Sequence, residues 1–304
     1  MVRSLLSDFD LSNEQILKIL DLSEDMKTNP SNYSKSLEGK TLIMLFELDS
    51  LRTRVSFETG MTQLGGHAIF YDIAGGSFTR GETLVDGVRV LSRYCDCIMA
   101  RVSKQEDIEK IAAASSIPVI NAMTRKYHPC QTIADLLTIN QNKGRLEGLK
   151  IAYVGDGGCN TANSTIIGCS KVGMNVTIVC PKQPKYSPDS SILNKARKQI
   201  SSQIIISHDP AEGVKDADVI YTDTWISAGM EKEKEERIQV FAAYQVNSNL
   251  VKKAKKDCIV MHCLPAHRGY EITDEVMDAP YSVVYDEAEN RMHTEKAIVY
   301  WLLH

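Results

Sequence analysis

The sequence lacks the features that mark a membrane protein or a general nucleic-acid-binding protein. No apolar run approaches the roughly 20 residues that a membrane-spanning helix needs. The formal net charge is −4, and no basic half exists that would neutralise a phosphate backbone. The N-terminal stretch is soon interrupted by Asp8 and Asp10, so we expect no secretory signal. We therefore expect neither a membrane nor a nucleic acid as a partner.

The sequence also lacks any Cys-x-x-Cys pair, although it contains 8 cysteines. This absence argues against a zinc knuckle. Several of the cysteines lie inside apolar runs, where free cysteine behaves as a small core residue. The cysteine usage therefore predicts a reducing, cytoplasmic setting.

The composition is that of a soluble globular protein, with 43% hydrophobic and 24% charged residues. A chain of 304 residues exceeds the usual single core and predicts two domains. Strand and helix patterns alternate through both halves, which is typical of parallel sheets. We predict an α/β protein with two doubly wound parallel-sheet domains. The charged, glycine-containing stretch 144–150 marks the domain change, and a helix from Thr132 bridges the two halves.

The stretch Asp49–Glu58 lies between a predicted strand, Thr41–Phe46, and a predicted helix that ends at Gly65. Arginine and hydroxyl side chains therefore sit where backbone N–H groups and the positive end of a helix dipole point outward. Guanidinium groups at such a place make a site for a dianion such as phosphate. The alternative is a solvated basic turn that caps the helix.

Other polar residues follow predicted strands, at the sheet edge where ligands bind in open α/β sheets. The basic groups among them could neutralise a phosphate and a second negative charge that develops during a reaction. The remaining groups could bind an amine or a carboxylate. Each residue also has a structural alternative, such as a helix cap for His128 or an Asx-turn for Asp223. The candidates are Arg101, His128, Gln131, Asn160, Asp223, Ser227, Cys263 and Arg291.

Three further patterns give structural predictions. Alternating charges in Lys232–Arg237 predict a solvated helix face. The run Val283–Tyr285 predicts a strand, and Asn290–Leu303 predicts a closing helix.

Five motifs in order resemble the aspartate/ornithine carbamoyltransferase family, and the match runs from about residue 10 to the C-terminus. The His-Cys-Leu-Pro-Ala and Glu-Ala-Glu-Asn-Arg segments resemble its ornithine branch. The motifs are Ser50–Arg54, His128–Gln131, Asp223–Gly229, His262–Pro265 and Glu287–Arg291. The resemblance implies a carbamoyl-phosphate-binding domain, residues 1–140 with 288–304, and an ornithine-binding domain, residues 141–287.

The resemblance also implies roles for individual residues. The groups expected to bind carbamoyl phosphate are Ser50, Leu51, Arg52, Thr53, Arg101, His128, Gln131, Cys263, Leu264 and Arg291. Those expected to take part in catalysis are Arg52, Arg101, His128, Gln131, Cys263 and Arg291. Those expected to bind the amino-acid end of ornithine are Asn160, Asp223, Ser227 and the backbone of Ala228.

No metal or organic cofactor is implied. The family forms trimers, so self-association as a homotrimer or a multiple of trimers is expected. The segment Ser77–Arg80 is expected to reach the phosphate of a neighbouring subunit.

Three positions depart from the family pattern. Leu51 stands where a threonine is usual, Cys159 where an asparagine is frequent and Ala228 where a methionine is usual. These departures leave a carbamoyltransferase for putrescine or a modified ornithine, and a binding paralogue without turnover, as alternatives. A nicotinamide-dependent dehydrogenase is a further alternative, because Gly155–Gly158 follows a strand. The chain lacks the third glycine that the dinucleotide-binding fingerprint needs near position 160, and it lacks the acidic residue that the fingerprint places about twenty residues later.

Overall fold

The computed structural model describes residues 3–74, 81–199, 202–227 and 229–304. The chain divides into two units, residues 1–137 with 289–304 and residues 138–288. The described residues of each unit form one parallel sheet with helices between the strands. The predicted α/β class with two parallel sheets is confirmed.

The first unit contains a four-stranded sheet in the order β2-β1-β3-β4 among its described residues. Every pairing in the sheet is parallel, and Phe46 is in register with Arg101. The elements from the N-terminus to the helix that crosses into the second unit are α1 Asn13–Thr28, β1 Thr41–Phe46, α2 Leu51–Gln63, β2 His67–Asp72, α3 Leu84–Tyr94, β3 Cys97–Arg101, α4 Gln105–Ala114, β4 Val119–Met123 and α5 Pro129–Lys143.

The sequence accounts for these elements locally. The side chain of Ser12 accepts a hydrogen bond from Gln15 N–H, and the Gln15 side chain accepts one from Ser12 N–H, which is the capping box that starts α1. The strands β1 and β3 are almost wholly buried, as expected for a parallel sheet covered on both faces. Their core includes Ile43, Leu45 and Ile98.

The second unit contains a five-stranded parallel sheet in the order β7-β6-β5-β8-β9 among its described residues. Its core includes Val154, Ile220 and Val260. The elements that follow α5 in the chain are β5 Lys150–Val154, α6 Asn160–Lys171, β6 Asn175–Val179, α7 Ser190–Arg197, β7 Ile204–Ser207, α8 Pro210–Val214, β8 Val219–Thr222, α9 Lys234–Phe241, α10 Ser248–Val251, β9 Ile259–His262, α11 Asp274–Met277 and α12 Val284–Leu303.

Two points of division fall inside helices, because α5 and α12 each contain residues of both units. The predicted strand Val283–Tyr285 is wrong, since α12 already begins at Val284. Val283 N–H donates to the carbonyl of Val260 in β9, so only the residues just before the helix are extended along the sheet. None of the described helices is long and apolar enough to cross a membrane.

Candidate active site

Each sheet has a point where the strand order reverses, and polar residues follow the strands on both sides of it. In the first unit this point lies between β1 and β3, and in the second it lies between β5 and β8. Ligands of open α/β sheets bind beyond the carboxyl ends of the strands at such a switch point. The topology therefore places a candidate ligand-binding edge in each unit.

The turn after β1 is built around Ser50, the N-cap of α2. Its Oγ accepts a hydrogen bond from Thr53 N–H at 3.3 Å and lies 3.1 Å from Thr53 Oγ1. Thr53 is buried, whereas Leu51 at the start of the helix is 77% exposed. The two hydroxyl groups are thus fixed at the helix N-terminus, where the dipole favours an anion.

The two arginines of this turn differ in their surroundings. Arg54 pairs with Glu58 at 2.9 Å, and its guanidinium carbon lies 3.9 Å from the centroid of the Phe70 ring. Arg52 is half-buried. Arg54 is therefore engaged by its own helix and by β2, and Arg52 is the arginine of this turn that the sequence analysis predicts for the anion site.

His128 is buried just before the first residue of α5, and the charges of three arginines act on its side chain. Burial, followed by the positive charges of Arg291, Arg101 and Arg52, holds the pKa of His128 well below its usual range. The imidazole is therefore neutral near pH 7. The three arginines that the sequence predicts for one site act on this single side chain.

Arg291 lies on α12 and is buried within a network of side chains. Its Nη1 donates to Gln131 Oε1 at 2.7 Å, and its Nη2 lies 3.5 Å from Thr53 Oγ1. Gln131 Nε2 in turn donates to Asp135 Oδ1 at 2.8 Å. The structure thus brings together Thr53, Gln131 and Arg291, which the sequence predicts to bind one ligand.

Glu295 also belongs to this network, although the sequence analysis did not select it. Its Oε1 accepts hydrogen bonds from Arg291 Nη2 at 2.6 Å and from Arg291 Nε at 3.1 Å. Burial raises the pKa of Glu295, and the charge of Arg291 opposes that rise. The spacing of four residues on one helix was the signal that could have revealed it.

In the second unit, α6 begins at Asn160 beside Asp223. Cys159 caps the helix, since its Sγ accepts from Ala162 N–H at 3.3 Å. Thr161 Oγ1 donates to Asp223 Oδ2 at 2.8 Å, and Thr224 N–H donates to Asp223 Oδ1 at 2.7 Å. The carboxylate is therefore oriented at the end of β8. Thr161 was not predicted, because no short motif marks it.

The turn between β5 and α6 is tightly packed at Gly157. A Cβ atom there would lie 2.9 Å from Ile178 Cγ2 and 2.9 Å from the carbonyl oxygen of Tyr186. Only glycine fits this place without displacing backbone, which fixes the path of the chain into Asn160.

The loop after Asp223 contains a buried tryptophan, Trp225, followed by the half-buried Ser227. Trp225 is 2% exposed, and its ring stacks on that of Phe241 with 5.7 Å between centroids. Ser227 is half-buried, and its carbonyl accepts from Met230 N–H at 3.0 Å. The predicted contribution of Ala228, like that of Ser77–Arg80, lies outside the described residues.

The segment after β9 is held by the buried His262. Its Nδ1 accepts from Leu264 N–H at 2.9 Å, so its Nε2 carries the proton and donates to Glu271 Oε1 at 3.1 Å. Its backbone N–H donates to Glu287 Oε2 at 2.9 Å. Cys263 and Leu264 are half-buried and belong to the second unit, whereas the other predicted carbamoyl-phosphate residues belong to the first.

One group of three potential metal ligands occurs among the described residues. Ligand atoms of Asp223, His262 and Cys263 lie within 4.8 Å of one another. Both ring nitrogens of His262 already take part in hydrogen bonds, so a metal at this place would have to replace one of them. The expectation that no metal is needed stays a prediction.

Comparison with known proteins gives one family model for each part of the chain. The family model for the aspartate/ornithine carbamoyltransferase carbamoyl-P binding domain matches residues 3–141. The model for the Asp/Orn binding domain of the same family matches residues 147–302. Together the two models cover nearly the whole chain.

Individual relatives match along their full length. Ornithine carbamoyltransferase of Carboxydothermus hydrogenoformans is 48% identical over 99% of this chain and 97% of its own. The solved structure of ornithine carbamoyltransferase from Pyrococcus furiosus is 46% identical, with a TM-score of 0.92 over 98% of this chain and 96% of its own. An acetylornithine transcarbamylase complexed with acetylcitrulline is 31% identical, with a TM-score of 0.87 over 99% of both chains. This chain therefore belongs to the aspartate/ornithine carbamoyltransferase family.

Proposed function

We propose that this chain transfers the carbamoyl group of carbamoyl phosphate to the δ-amine of L-ornithine, giving L-citrulline and phosphate. The observation that carries the proposal is the basic cluster at the switch point of the first unit. There Arg291 lies beside Thr53 and Gln131, and three arginines act on the neutral His128. Such a cluster suits a ligand with a phosphate dianion next to a carbonyl group.

We assign the phosphate end of the donor to the β1–α2 turn and the end of β3. Hydroxyl groups, a helix N-terminus and guanidinium forks all favour a dianion there. Leu51 contributes its backbone N–H, because its side chain is apolar and exposed. The residues are Ser50, Leu51, Arg52, Thr53 and Arg101.

We assign the carbamoyl group to His128, Gln131 and Arg291, with Cys263 and Leu264 lining the reacting centre. The carbamoyl oxygen gains negative charge when the amine attacks. A neutral imidazole donates one hydrogen bond to that oxygen without adding a positive charge of its own. The guanidinium groups then supply the charge, and preorganised donors of this kind commonly form the largest contribution to catalysis.

We assign the amino-acid end of ornithine to Asn160, Asp223, Ser227 and the backbone of Ala228. The hydrogen bonds from Thr161 and from the backbone of Thr224 fix the Asp223 carboxylate, which suits an ammonium group. Asn160 and Ser227 supply neutral polar groups for a carboxylate. This set favours a free α-amino acid over putrescine as the acceptor.

The reaction joins the amine nitrogen to the carbamoyl carbon and then breaks the bond from that carbon to the phosphate oxygen. An alkyl amine has a pKa near ~10, by analogy with lysine, so the attacking neutral form is scarce at pH 7. Desolvation lowers such a pKa and favours the neutral amine. The proton that the nitrogen loses leaves with phosphate or solvent.

We also propose self-association as a homotrimer or a multiple of trimers, in a reducing cytoplasm. The first unit exposes apolar side chains on α2 and on the sheet-edge strand β2, including Leu51, Val55, Ile69 and Tyr71. Exposed apolar groups near a sheet edge favour association with another chain. All eight cysteines are free thiols, which supports the choice of compartment.

An acceptor panel tests the activity. The purified protein is incubated with carbamoyl phosphate and, separately, ornithine, N-acetylornithine, putrescine or aspartate, and ureido product is measured by a colorimetric assay. We expect product with ornithine and far less with the other three acceptors. Product only with another acceptor would replace ornithine in the proposal. No product with any acceptor would favour a binding paralogue.

A further inference from the structure

Arg237 is buried, whereas the charged residues that precede it in the sequence are exposed. The alternating charges of Lys232–Arg237 predict a solvated face, and five of these residues, 232–236, are indeed exposed. Arg237 is only 5% exposed, so the prediction is wrong for this residue. A buried guanidinium requires partners, because desolvation of an unpaired charge is costly.

The partners of Arg237 come from separate parts of the second unit. Its Nη1 donates to Asp156 Oδ2 at 2.7 Å and to the carbonyl oxygen of Trp225 at 2.9 Å. Its Nε donates to Glu233 Oε2 at 3.0 Å. The other oxygen of Asp156 accepts from Gly158 N–H at 2.9 Å. One side chain is thereby hydrogen-bonded to a turn, to a loop and to the residue that precedes its own helix.

The turn and the loop are the two segments that flank the switch point of this unit. Asp156 lies in the turn that leads from β5 into Asn160. Trp225 lies midway between Asp223 and Ser227. A single guanidinium therefore joins the two segments that contain the candidate acceptor-binding residues, although it lies in neither segment.

Aromatic rings enclose the same guanidinium. Its central carbon lies 5.2 Å from the centroid of Tyr186 and 6.0 Å from that of Phe241, which also stacks on Trp225. These contacts restrict where the guanidinium can move and exclude water from its hydrogen bonds. A lysine at this place would keep the charge, but its one nitrogen could not replace both Nη1, which bonds Asp156 and Trp225, and Nε, which bonds Glu233.

We propose that Arg237 is a positioning residue for acceptor binding, which sets the distance between the 155–160 turn and the 223–227 loop without contacting the substrate. The inference rests on the proposed function. It predicts that a change at Arg237 weakens binding of the acceptor and leaves binding of carbamoyl phosphate unchanged.

The test compares Arg237→Lys and Asp156→Asn with the wild-type protein. Arg268→Lys is the matched control, because Arg268 lies in the same unit and also pairs with two carboxylates, those of Asp274 and Asp278. Its side chain, however, is 35% exposed. The measurements are KM for ornithine, KM for carbamoyl phosphate, kcat and Tm. Glu233→Gln is a milder variant, since Glu233 is an exposed partner of the same guanidinium.

We expect KM for ornithine to rise at least tenfold in Arg237→Lys and in Asp156→Asn, with KM for carbamoyl phosphate within twofold of wild type. Glu233→Gln should show a smaller rise in KM for ornithine. Hydrogen exchange measured by mass spectrometry should become faster in 155–160 and 223–227 for the first two variants. The control, Arg268→Lys, should match wild type in KM for ornithine and in hydrogen exchange.

Two outcomes would overturn the inference. One is an unchanged KM for ornithine in the variants that fold. The other is an equal loss of binding for both substrates that simply follows the fall in Tm, which would make Arg237 a general stabilising residue. A wild-type protein that produces no citrulline would overturn the proposed function instead, and that result is seen before any variant is compared.

Discussion

The described residues of each unit include a buried arginine paired with a buried carboxylate, and the two pairs differ in where the remaining guanidinium donors point. Arg291 and Glu295 lie 2.6 Å apart in the first unit, and Arg237 and Asp156 lie 2.7 Å apart in the second. Arg291 directs its other donor groups to the side chains of Gln131 and Thr53. Arg237 directs its other donors to a backbone carbonyl and to Glu233.

This difference indicates two roles for a buried arginine–carboxylate pair: one arginine can bind a ligand and the other holds a loop. Side-chain partners can turn towards a ligand, so Arg291 can exchange a partner for a substrate. A backbone carbonyl cannot be exchanged without moving the chain, so Arg237 fixes a loop. Buried pairs of either kind are weak evidence for stability alone, because desolvation offsets much of their attraction.

Arg52→Ala gives the largest expected effect in the first unit. It removes a guanidinium from the anion site, and loss of one such donor costs about 2.7–4 kcal/mol of transition-state stabilisation. We expect kcat/KM for carbamoyl phosphate to fall by about two to three powers of ten. Arg54→Ala is the control, since Arg54 pairs with Glu58 instead. Wild-type turnover in Arg52→Ala would refute the assignment.

Glu295→Gln tests the pair itself. The substitution leaves the Arg291 charge buried without its carboxylate partner, and breaking a buried pair typically costs about 3 kcal/mol or more. We expect a lower free energy of unfolding in chemical denaturation and a higher KM for carbamoyl phosphate, with KM for ornithine unchanged. A rise confined to the KM for ornithine would contradict the division between the two units.

The neutral state of His128 predicts a pH effect on stability. Because burial and three arginines lower its pKa in the folded chain, the unfolded chain binds a proton that the folded chain does not. The free energy of unfolding should therefore fall as pH drops below about 6.5, at up to about 1.4 kcal/mol per pH unit for this group.

Denaturant unfolding of His128→Gln and wild type between pH 7 and pH 5 measures this contribution. The variant should lose less stability on acidification. His293, whose pKa is also lowered, first by burial, is present in both proteins and cancels in the comparison. Parallel stability curves for the two proteins would show that His128 is not held neutral.

Two variants of the second unit, Asp223→Asn and Thr161→Val, give the smallest expected effects among these predictions. Loss of the negative charge should raise KM for ornithine about tenfold, which corresponds to about 1.4 kcal/mol, while KM for carbamoyl phosphate stays unchanged. Thr161→Val keeps the carboxylate but removes its 2.8 Å hydrogen bond, so we expect a rise of about fivefold, or about 1 kcal/mol. An unchanged KM for ornithine in both variants would count against the role of Asp223.

Local patterns in the sequence predicted most of the fold. Buried runs such as Thr41–Phe46 marked the strands, and the alternation with helices gave the parallel sheets. The Val283–Tyr285 run failed because β-branched residues also occur in the first turn of a helix that follows an extended residue. The family predicted from five motifs is confirmed by the match of both domain models.

Side-chain partners that are distant in sequence were the part that could not be predicted. Asp156 lies 81 residues from Arg237, so charge alternation around Arg237 contains no sign of its burial. Glu295 was within reach of prediction because Arg291 is four residues away on the same helix. The assignments of residues to substrates stay predictions until the variants are measured.

The close packing at Gly157 has a consequence for anyone who would redirect the enzyme to another amine. A side chain at Gly157 would displace the backbone at Tyr186 and so alter the path of the chain into Asn160. A library aimed at new acceptors should therefore leave Gly157 unchanged and vary the side chains that are assigned to the acceptor, such as Asn160 and Ser227.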